Sequence, residues 1–582
     1  MESTELSSST GQKSIFESKK PRKSKNTSSS SNPDPIELLR RQSLCLLRES
    51  NALLPIYRLP PEVLSSIFVI ATDDECEDHK TTHMRVYISS VSHHWRGVAI
   101  STVALWRDLF LHESLFDGEI QACSERLHGQ PLRLHLIGPL TDRFDYGCRD
   151  IWDKRLAQDL VDLLGRAESF EVNATPSECF GLDFPDSATL THLKLNDPSR
   201  GTRRAYYFWG NEPHTIMNQL DTKFPGLRLL ELVDHGVRPD DMHFPSSLVS
   251  LHIANSVAQH WSEDVADVLD VLRNLHNLER LSLAHAMTDF ETPNALEHLD
   301  TVSLPRLKDF SFEGQVSTCI ALTKALQLPS SVRRKLVVHQ LEGDSDRYDT
   351  HSDETTKVNA LRLYNELINE LAKLESHFAN AFVLGDYGTL VLAWKHNTQS
   401  FEDLGIKGLY FTTGVLDYNR NVKSSCPADL ELRFIGPRHV READALRLEL
   451  LLAQARILTI YSPPSCSLNT PSLFGYLDKL EVLTYAFADI TRYDQNPRVL
   501  EDLTKHRQSL PHLRSLCLRR YSFVKRNYDK LLTVCRQRQE MGAALDVQLK
   551  LCYEVTDAKI DELSAMTKSV GWDRAISPFL WD

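Results

Sequence analysis

One six-residue apolar figure recurs along the chain: apolar, two variable, apolar, one variable, apolar. It stands at Leu190/Leu193/Leu195, Leu227/Leu230/Leu232, Leu248/Leu251/Ile253, Leu278/Leu281/Leu283 and Leu307/Phe310/Phe312. It returns at Leu480/Leu483/Tyr485 and Leu513/Leu516/Leu518. The starts at 227, 248, 278 and 307 are 21, 30 and 29 residues apart. Side chains alternate along a strand, so the last two apolar residues of each figure share one face and the residue between them takes the other. A unit of this length holds one short strand and a return segment, and buries its apolar face only against the next unit. The spacing therefore predicts a solenoid, in which each unit touches its neighbours. On its open face, Glu231, His252, Ser282, Ser311, Thr484 and Cys517 are the candidate binding side chains. They are mixed in type and of no dominant charge, so they name no ligand.

Around these figures the pattern is less regular. Residues 130–137 alternate like a half-buried strand, and 389–394, 430–434 and 457–460 read as further strands. Residues 341–357 are charged and read as a surface loop. Residues 358–378 read as an amphipathic helix through Leu361, Tyr364, Ile368 and Leu371. Such a helix either packs on the outer side of the array or serves a partner. Packing is the expectation, because most amphipathic helices bury their apolar face. A helix over 528–541, a strand over 545–551 and a helix from Asp557 close the chain. The series resembles a degenerate leucine-rich repeat. The Asn or Cys usual after the last leucine is mostly missing, although Asn196 and Asn255 fall close to it. The alternative is an unrelated α/β domain with leucine-rich strands.

Residues 59–109 have a helical grain instead. Pro61 suits a first helical turn, where its missing N–H is no loss, and Glu62 suits the positive end of the helix dipole. Val63, Leu64, Ile67, Phe68 and Ile70 follow at helical spacing. A second stripe runs Tyr87, Ile88, Val91, Trp95, Val98 and Ala99, and Leu105, Trp106 and Leu109 end the unit. Three short helices make a thin core, so the module leans on a partner or on the next domain. Leu59, Pro60, Glu62, Ile67, Phe68, Val91, Trp95, Arg96, Leu105 and Trp106 fall on the pattern of an F-box, which this stretch resembles. Ser92 stands where Cys is commoner and His94 where Arg or Lys is commoner.

The resemblance implies a docking site for a Skp-type adaptor, and through it a cullin–RING ubiquitin ligase. The implied adaptor-binding set adds Pro61, Val63 and Leu64 to the residues just named, with Leu59, Pro60, Ile67 and Phe68 at its centre. Some of these side chains serve the module's own core. The order of elements at the end of the chain is similar to large fungal F-box families with degenerate leucine-rich repeats. The expected layout is a tail over 1–34, a leading helix over 35–54, the F-box over 55–110 and the array over 111–582. The fold class is α+β or α/β, a solenoid behind a three-helix module.

The ends and the composition bound the rest. Residues 1–34 hold eleven serines and few apolar side chains, which predicts disorder. Residues 19–25 within them are a basic run, readable as a nuclear import signal or as a solvated charge run. In residues 35–54, Ile36, Leu39, Leu46, Leu47 and Leu53 can share a helix face that Asp34 caps and Pro55 ends. That face either packs on the F-box or self-associates; packing is expected, because the segment is short for sustained heptads. The net charge of −13 argues against a nucleic-acid partner. No stretch is apolar and long enough to span a bilayer, so no membrane partner is expected. The eleven scattered cysteines predict reduced thiols and a cytoplasmic or nuclear setting.

No spacing marks an active site: there is no Gly-x-Ser-x-Gly, phosphate loop or His-Glu-x-x-His. Cys76, His79 and His83 come nearest to a zinc set, but the stretch is acidic and lacks a fourth ligand, so no metal and no cofactor are expected. His93 and His94 read as surface or packing residues. The expected function is a non-catalytic substrate receptor of a ubiquitin ligase, one end docking the adaptor and the array holding an unidentified target. The alternative is a binding scaffold whose F-box-like helices only cap the array, since solenoids need polar end caps.

Overall fold

The computed structural model describes residues 35–73, 80–111, 117–137, 162–173, 186–196, 219–234, 242–255, 265–287, 299–339, 354–374, 378, 380–385, 388–394, 428, 430–435, 448–462, 474–487, 499–505, 508, 510–519, 521–523 and 527–574. The chain is a mixed helix-and-strand protein that divides into two compact units, residues 1–105 and 106–582. The basic run at 19–25, Asp34, and Cys76 with His79 lie outside the described residues.

The first unit is helical: α1 (Pro35–Ala52), α2 (Pro61–Asp73), α3 (Lys80–Val91) and α4 (His93–Ser101), with 3-10 turns at Pro55–Arg58 and Val103–Trp106. Pro61 opens α2 and Glu62 sits in its first turn. The break between α3 and α4 falls at Ser92, whose backbone is extended and whose hydroxyl accepts the Trp95 N–H at 3.1 Å. Serine is therefore a helix cap where the F-box pattern more often has Cys. Leu64, Phe68, Ile88, Val98, Ala99 and Leu105 form the core. The Thr102 hydroxyl ties the end of α4 to Ser65 of α2 at 2.9 Å. Helix α1 forms, ending at Ala52 ahead of Pro55, but the expectation that it packs is not met: none of its residues is buried.

Among the described residues, the second unit is built on a seventeen-stranded sheet. Its strands in chain order are β1 (Asp108–Leu111), β2 (Leu132–Ile137), β3 (Ala167–Asn173), β4 (His192–Asn196), β5 (Leu229–Val233), β6 (Ser250–Ala254) and β7 (Arg280–Ala284). A two-residue β8 (Val302–Ser303) precedes β9 (Asp309–Gln315), and β10 (Leu326–Gln327), which pairs only with β8, precedes β11 (Arg333–His339). Then come β12 (Asn380–Gly385), β13 (Gly388–Trp394), β14 (Leu430–Ile435), β15 (Ile457–Ser462), β16 (Val482–Phe487), β17 (Ser515–Arg519), β18 (Asp546–Lys550) and β19 (Ser569–Trp572). From β1 to β11 each sheet strand lies parallel to its predecessor. β11 then pairs with β14, and the antiparallel hairpin β12–β13 stands between β14 and β15. Parallel order resumes from β15 to β19. The antiparallel β13 departs from the uniform array that the leucine spacing predicts.

The apolar figure sets the packing. Leu193, Leu230, Leu251, Leu281 and Phe310 are successive Cα partners, as are Leu195, Leu232, Ile253, Leu283 and Phe312. All ten are buried. The first residue of each figure is buried too, closing a turn: Leu190 N–H donates to the Ser187 hydroxyl at 3.2 Å, and in the other figures the N–H donates to a carbonyl three residues back. Examples are Leu227 to Phe224, Leu278 to Leu275, Leu480 to Leu477 and Leu513 to Leu510. β11 breaks the rule, because Arg334 occupies the place of Phe310 in the row.

The returns carry α5 (Asp117–Arg126), α6 (Leu220–Lys223), α7 (Val265–Arg273), α8 (Val316–Ala325), α9 (Glu354–Leu374), α10 (Glu449–Leu452), α11 (Val499–Lys505), α12 (Asn527–Glu540) and α13 (Asp557–Ser564). α9 starts at Glu354, inside the stretch read as loop, and stops at Leu374 rather than reaching Phe378. It buries Tyr364, Leu367, Ile368 and Leu371 and packs on α8, with Lys324 2.7 Å from Glu366. Trp106, in the stretch read as the end of the F-box, belongs to the sheet unit, where Arg126 covers its ring at 4.0 Å. β1 also falls within 55–110 and lies in the sheet.

Candidate functional site

In the helical unit the F-box-like residues divide by face. Leu64, Phe68 and Leu105 point inward, at 0%, 1% and 1% exposure. Phe68 also meets the Trp95 ring, with centroids 5.0 Å apart. Phe68 therefore belongs to the core and not to the centre of a docking face, where the motif placed it; large aromatics dominate so thin a core. Pro60, Pro61, Glu62, Val63, Ile67, Val91 and Arg96 are exposed, and Leu59 and Trp95 half-buried. Ile70, Val86, Tyr87 and Ile100 add exposed apolar side chains the motif does not name. The expected second stripe thus splits: Ile88, Val98 and Ala99 are buried, Tyr87 and Val91 are not. His93 is exposed, and His94 lies against the Tyr57 ring at 5.1 Å.

In the sheet unit, Glu231, His252, Ser282 and Ser311 are half-buried successive Cα partners in one transverse row. The Cα register carries the row through Lys335, Glu431, Leu392, Phe382 and Thr459 to Thr484 and Cys517. All six proposed binding residues therefore sit on one line across the sheet. Followed the other way, the row adds Lys194, Glu171, His135 and Phe110.

This end carries a charge network. His135 Nδ1 lies 3.1 Å from Glu171 Oε2 and Nε2 3.2 Å from Asp108 Oδ1, while Phe110 stacks on the ring at 4.6 Å. Lys194 reaches the other oxygen of Glu171 at 2.5 Å. Burial by itself would lower the His135 pKa, but the hydrogen bonds and charges of Asp108 and Glu171 outweigh it and raise it above the ordinary 6.5. The His135 hydrogen bond, helped by Lys194, holds Glu171 down at about 2. His192 and His252 go the other way, lowered by burial. The row is thus a ladder of mutually satisfied charges at one end and, at Thr459, Thr484, Cys517 and Gln548, of uncharged polar groups at the other. His135 lies in the stretch 130–137 that alternates like a strand, and Lys194 between Leu193 and Leu195 of the first leucine figure; the Cα register is what joins both to the row of Glu231.

Burial pushes the Cys319, Cys535 and Cys552 thiols up to about 12, so they stay protonated at neutral pH. Among the described residues no cluster of three His, Cys, Asp or Glu side chains has metal-holding geometry. Among the same residues no helix is long and apolar enough to cross a membrane. No family model matches the chain, and no curated protein matches its sequence.

Proposed function

We propose that the chain is a substrate-recognition subunit of a Skp–cullin–F-box ubiquitin ligase. The helical unit is the F-box and docks a Skp-type adaptor; the sheet unit is a degenerate leucine-rich-repeat array whose open row holds the target. One observation carries the reading. Helices α2 to α4 spend Leu64, Phe68, Ile88, Val98 and Ala99 on their own core, yet leave Val63, Ile67, Ile70, Val86, Tyr87 and Val91 in solvent. A module this small gains stability from a partner that covers such side chains. The chain transfers no group itself; it raises the effective concentration of target lysines near a charged ubiquitin-conjugating enzyme. Affinity purification from the native organism tests this. Adaptor and cullin should accompany the wild-type chain and be lost with Leu59→Ala/Pro60→Ala/Ile67→Lys. A folded variant that retains both, or a wild-type chain that brings neither, leaves the capping-scaffold reading in its place.

A further inference from the structure

Cations gather at the leading ends of β5, β7, β9 and β11. Arg280, Asp309 and Arg333 are successive Cα partners on the open face, two residues before Ser282, Ser311 and Lys335 of the transverse row. One residue earlier stand Glu279 and Lys308, and Arg228 holds the same place ahead of β5. Backbone bonds step along this edge. The Lys308 N–H donates to the Glu279 carbonyl at 2.7 Å, the Glu279 N–H to the Val249 carbonyl at 2.7 Å, and the Ser250 N–H to the Arg228 carbonyl at 2.9 Å. Arg306 lies in the turn before β9, where its Nη1 donates to Asn277 Oδ1 at 2.8 Å. All five cations are exposed. Four strand spacings of about 4.8 Å separate β5 from β11, so the edge is about 19 Å long.

These five cations share two carboxylates. Lys308 Nζ donates to Glu279 Oε2 at 2.7 Å, and Arg333 Nη2 stands 2.5 Å from Asp309 Oδ1. Arg228, Arg280 and Arg306 make no ion pair among the described residues. Three positive charges are therefore left over, in a chain whose net charge is −13. The Lys308 hydrogen bond holds the Glu279 carboxyl below its ordinary value, and the charges of Lys308, Arg228 and Arg280 add to it, so three cations converge on one carboxylate. Further along the same strands the charges are matched: Glu231 lies 3.9 Å from His192, and Glu313 3.4 Å from His285. Like charges on neighbouring strands repel, and an anion laid across them removes that cost. A guanidinium fork meets a carboxylate through two parallel hydrogen bonds. A nucleic acid carries charge along its whole length and would run off this edge onto a chain of net negative charge. An acidic peptide need not, since about six extended residues cover about 19 Å.

On the reading that the sheet unit holds the target, we infer that this edge takes an acidic segment of it: a short extended run of Asp and Glu side chains laid across Arg228, Arg280 and Arg306. Fluorescence anisotropy of labelled hexaglutamate, titrated with the full chain at low salt, tests this. The peptide should bind although the chain as a whole repels it, and added salt should weaken the binding. Arg228→Gln/Arg280→Gln/Arg306→Gln should weaken it at least tenfold through the loss of three exposed pairs. The circular dichroism should not change, since all three side chains are exposed. Arg40→Gln/Arg48→Gln, two exposed positions on α1, should bind as wild type does. No binding by the wild-type chain up to about 1 mM overturns the inference. So does a triple variant that binds like wild type, or an equal loss in the α1 variant. Tighter binding of a single-stranded oligodeoxynucleotide of equal charge through the same arginines also overturns it, in favour of a nucleic acid. The triple variant should still capture the Skp-type adaptor, because its substitutions all lie outside residues 1–105. Loss of hexaglutamate binding with adaptor capture intact sinks this inference alone; a wild-type chain that captures no adaptor sinks the docking reading.

Discussion

Replacing Leu281 with Asp, and separately Ser282 with Asp, asks whether the two faces of the sheet are assigned correctly. Leu281 is 1% exposed, with Leu251 and Phe310 as its Cα partners on the neighbouring strands. Losing the side chain alone costs about 2–5 kcal/mol by the usual range for buried Leu→Ala. The carboxyl group adds to this. Burial raises its folded-state pKa above the roughly 3.9 of the unfolded chain, and each unit of that shift costs about 1.4 kcal/mol once both states are ionised. Below about pH 3.9 both states are protonated and the electrostatic penalty vanishes; it grows as pH rises toward the folded pKa and is complete above it. At pH 7 the total should exceed about 5 kcal/mol, a large share of the stability of most domains. Ser282 is half-buried on the open face between His252 and Ser311, so Ser282→Asp should stay within about 1 kcal/mol. Urea unfolding followed by circular dichroism at pH 7 and pH 5 reads both. Leu281→Asp should lose much of its midpoint and recover part of it at pH 5; Ser282→Asp should do neither. Equal losses, or a Leu281→Asp variant that weakens further at pH 5, would refute the assignment of faces.

Three further outcomes follow from the open face and the turns. In a histidine NMR titration, His135 should titrate above 6.5 and His192 and His252 below it, and Glu171→Gln should bring His135 down. The raised His135 stabilises below about pH 6.5 and fades as pH rises through its folded value; the depressed Glu171 stabilises above about pH 4.5 and fades as pH falls toward about 2. The stability difference between wild type and Glu171→Gln should therefore peak between about pH 4.5 and 6.5, and a flat difference would contradict the network. Gly226→Ala should destabilise by about 1–3 kcal/mol in the same urea assay, because the added Cβ would stand 2.8 Å from the Ala188 carbonyl oxygen.

The parallel strands were legible wherever leucine filled the apolar figure. Its second and third positions pair residue for residue across β4, β5, β6, β7 and β9, and again across β16 and β17. β3 escaped because Ala167, Phe170 and Val172 fill the same buried places without a leucine. β11 escaped because Arg334, its pKa lowered to about 10 by burial, stands where the row is otherwise apolar. The antiparallel β13 was out of reach for a different reason: alternation fixes which residues share a face but not which way the strand runs. The same limit governed the docking residues. Helical spacing puts Leu64 and Ile67 in one stripe, and only the packing of α2 against α3 and α4 divides the buried Leu64 and Phe68 from the exposed Val63 and Ile67.

The central claim rests on the helical unit, and direct binding tests it without a cell. Purified full-length chain titrated with a purified Skp-type adaptor by calorimetry should bind one adaptor per chain. Apolar burial should give the binding a negative heat-capacity change, and Ile67→Lys should weaken it at least tenfold while the urea midpoint holds. No heat of binding from a folded chain, or binding that Ile67→Lys and Pro60→Ala leave untouched, would contradict the account.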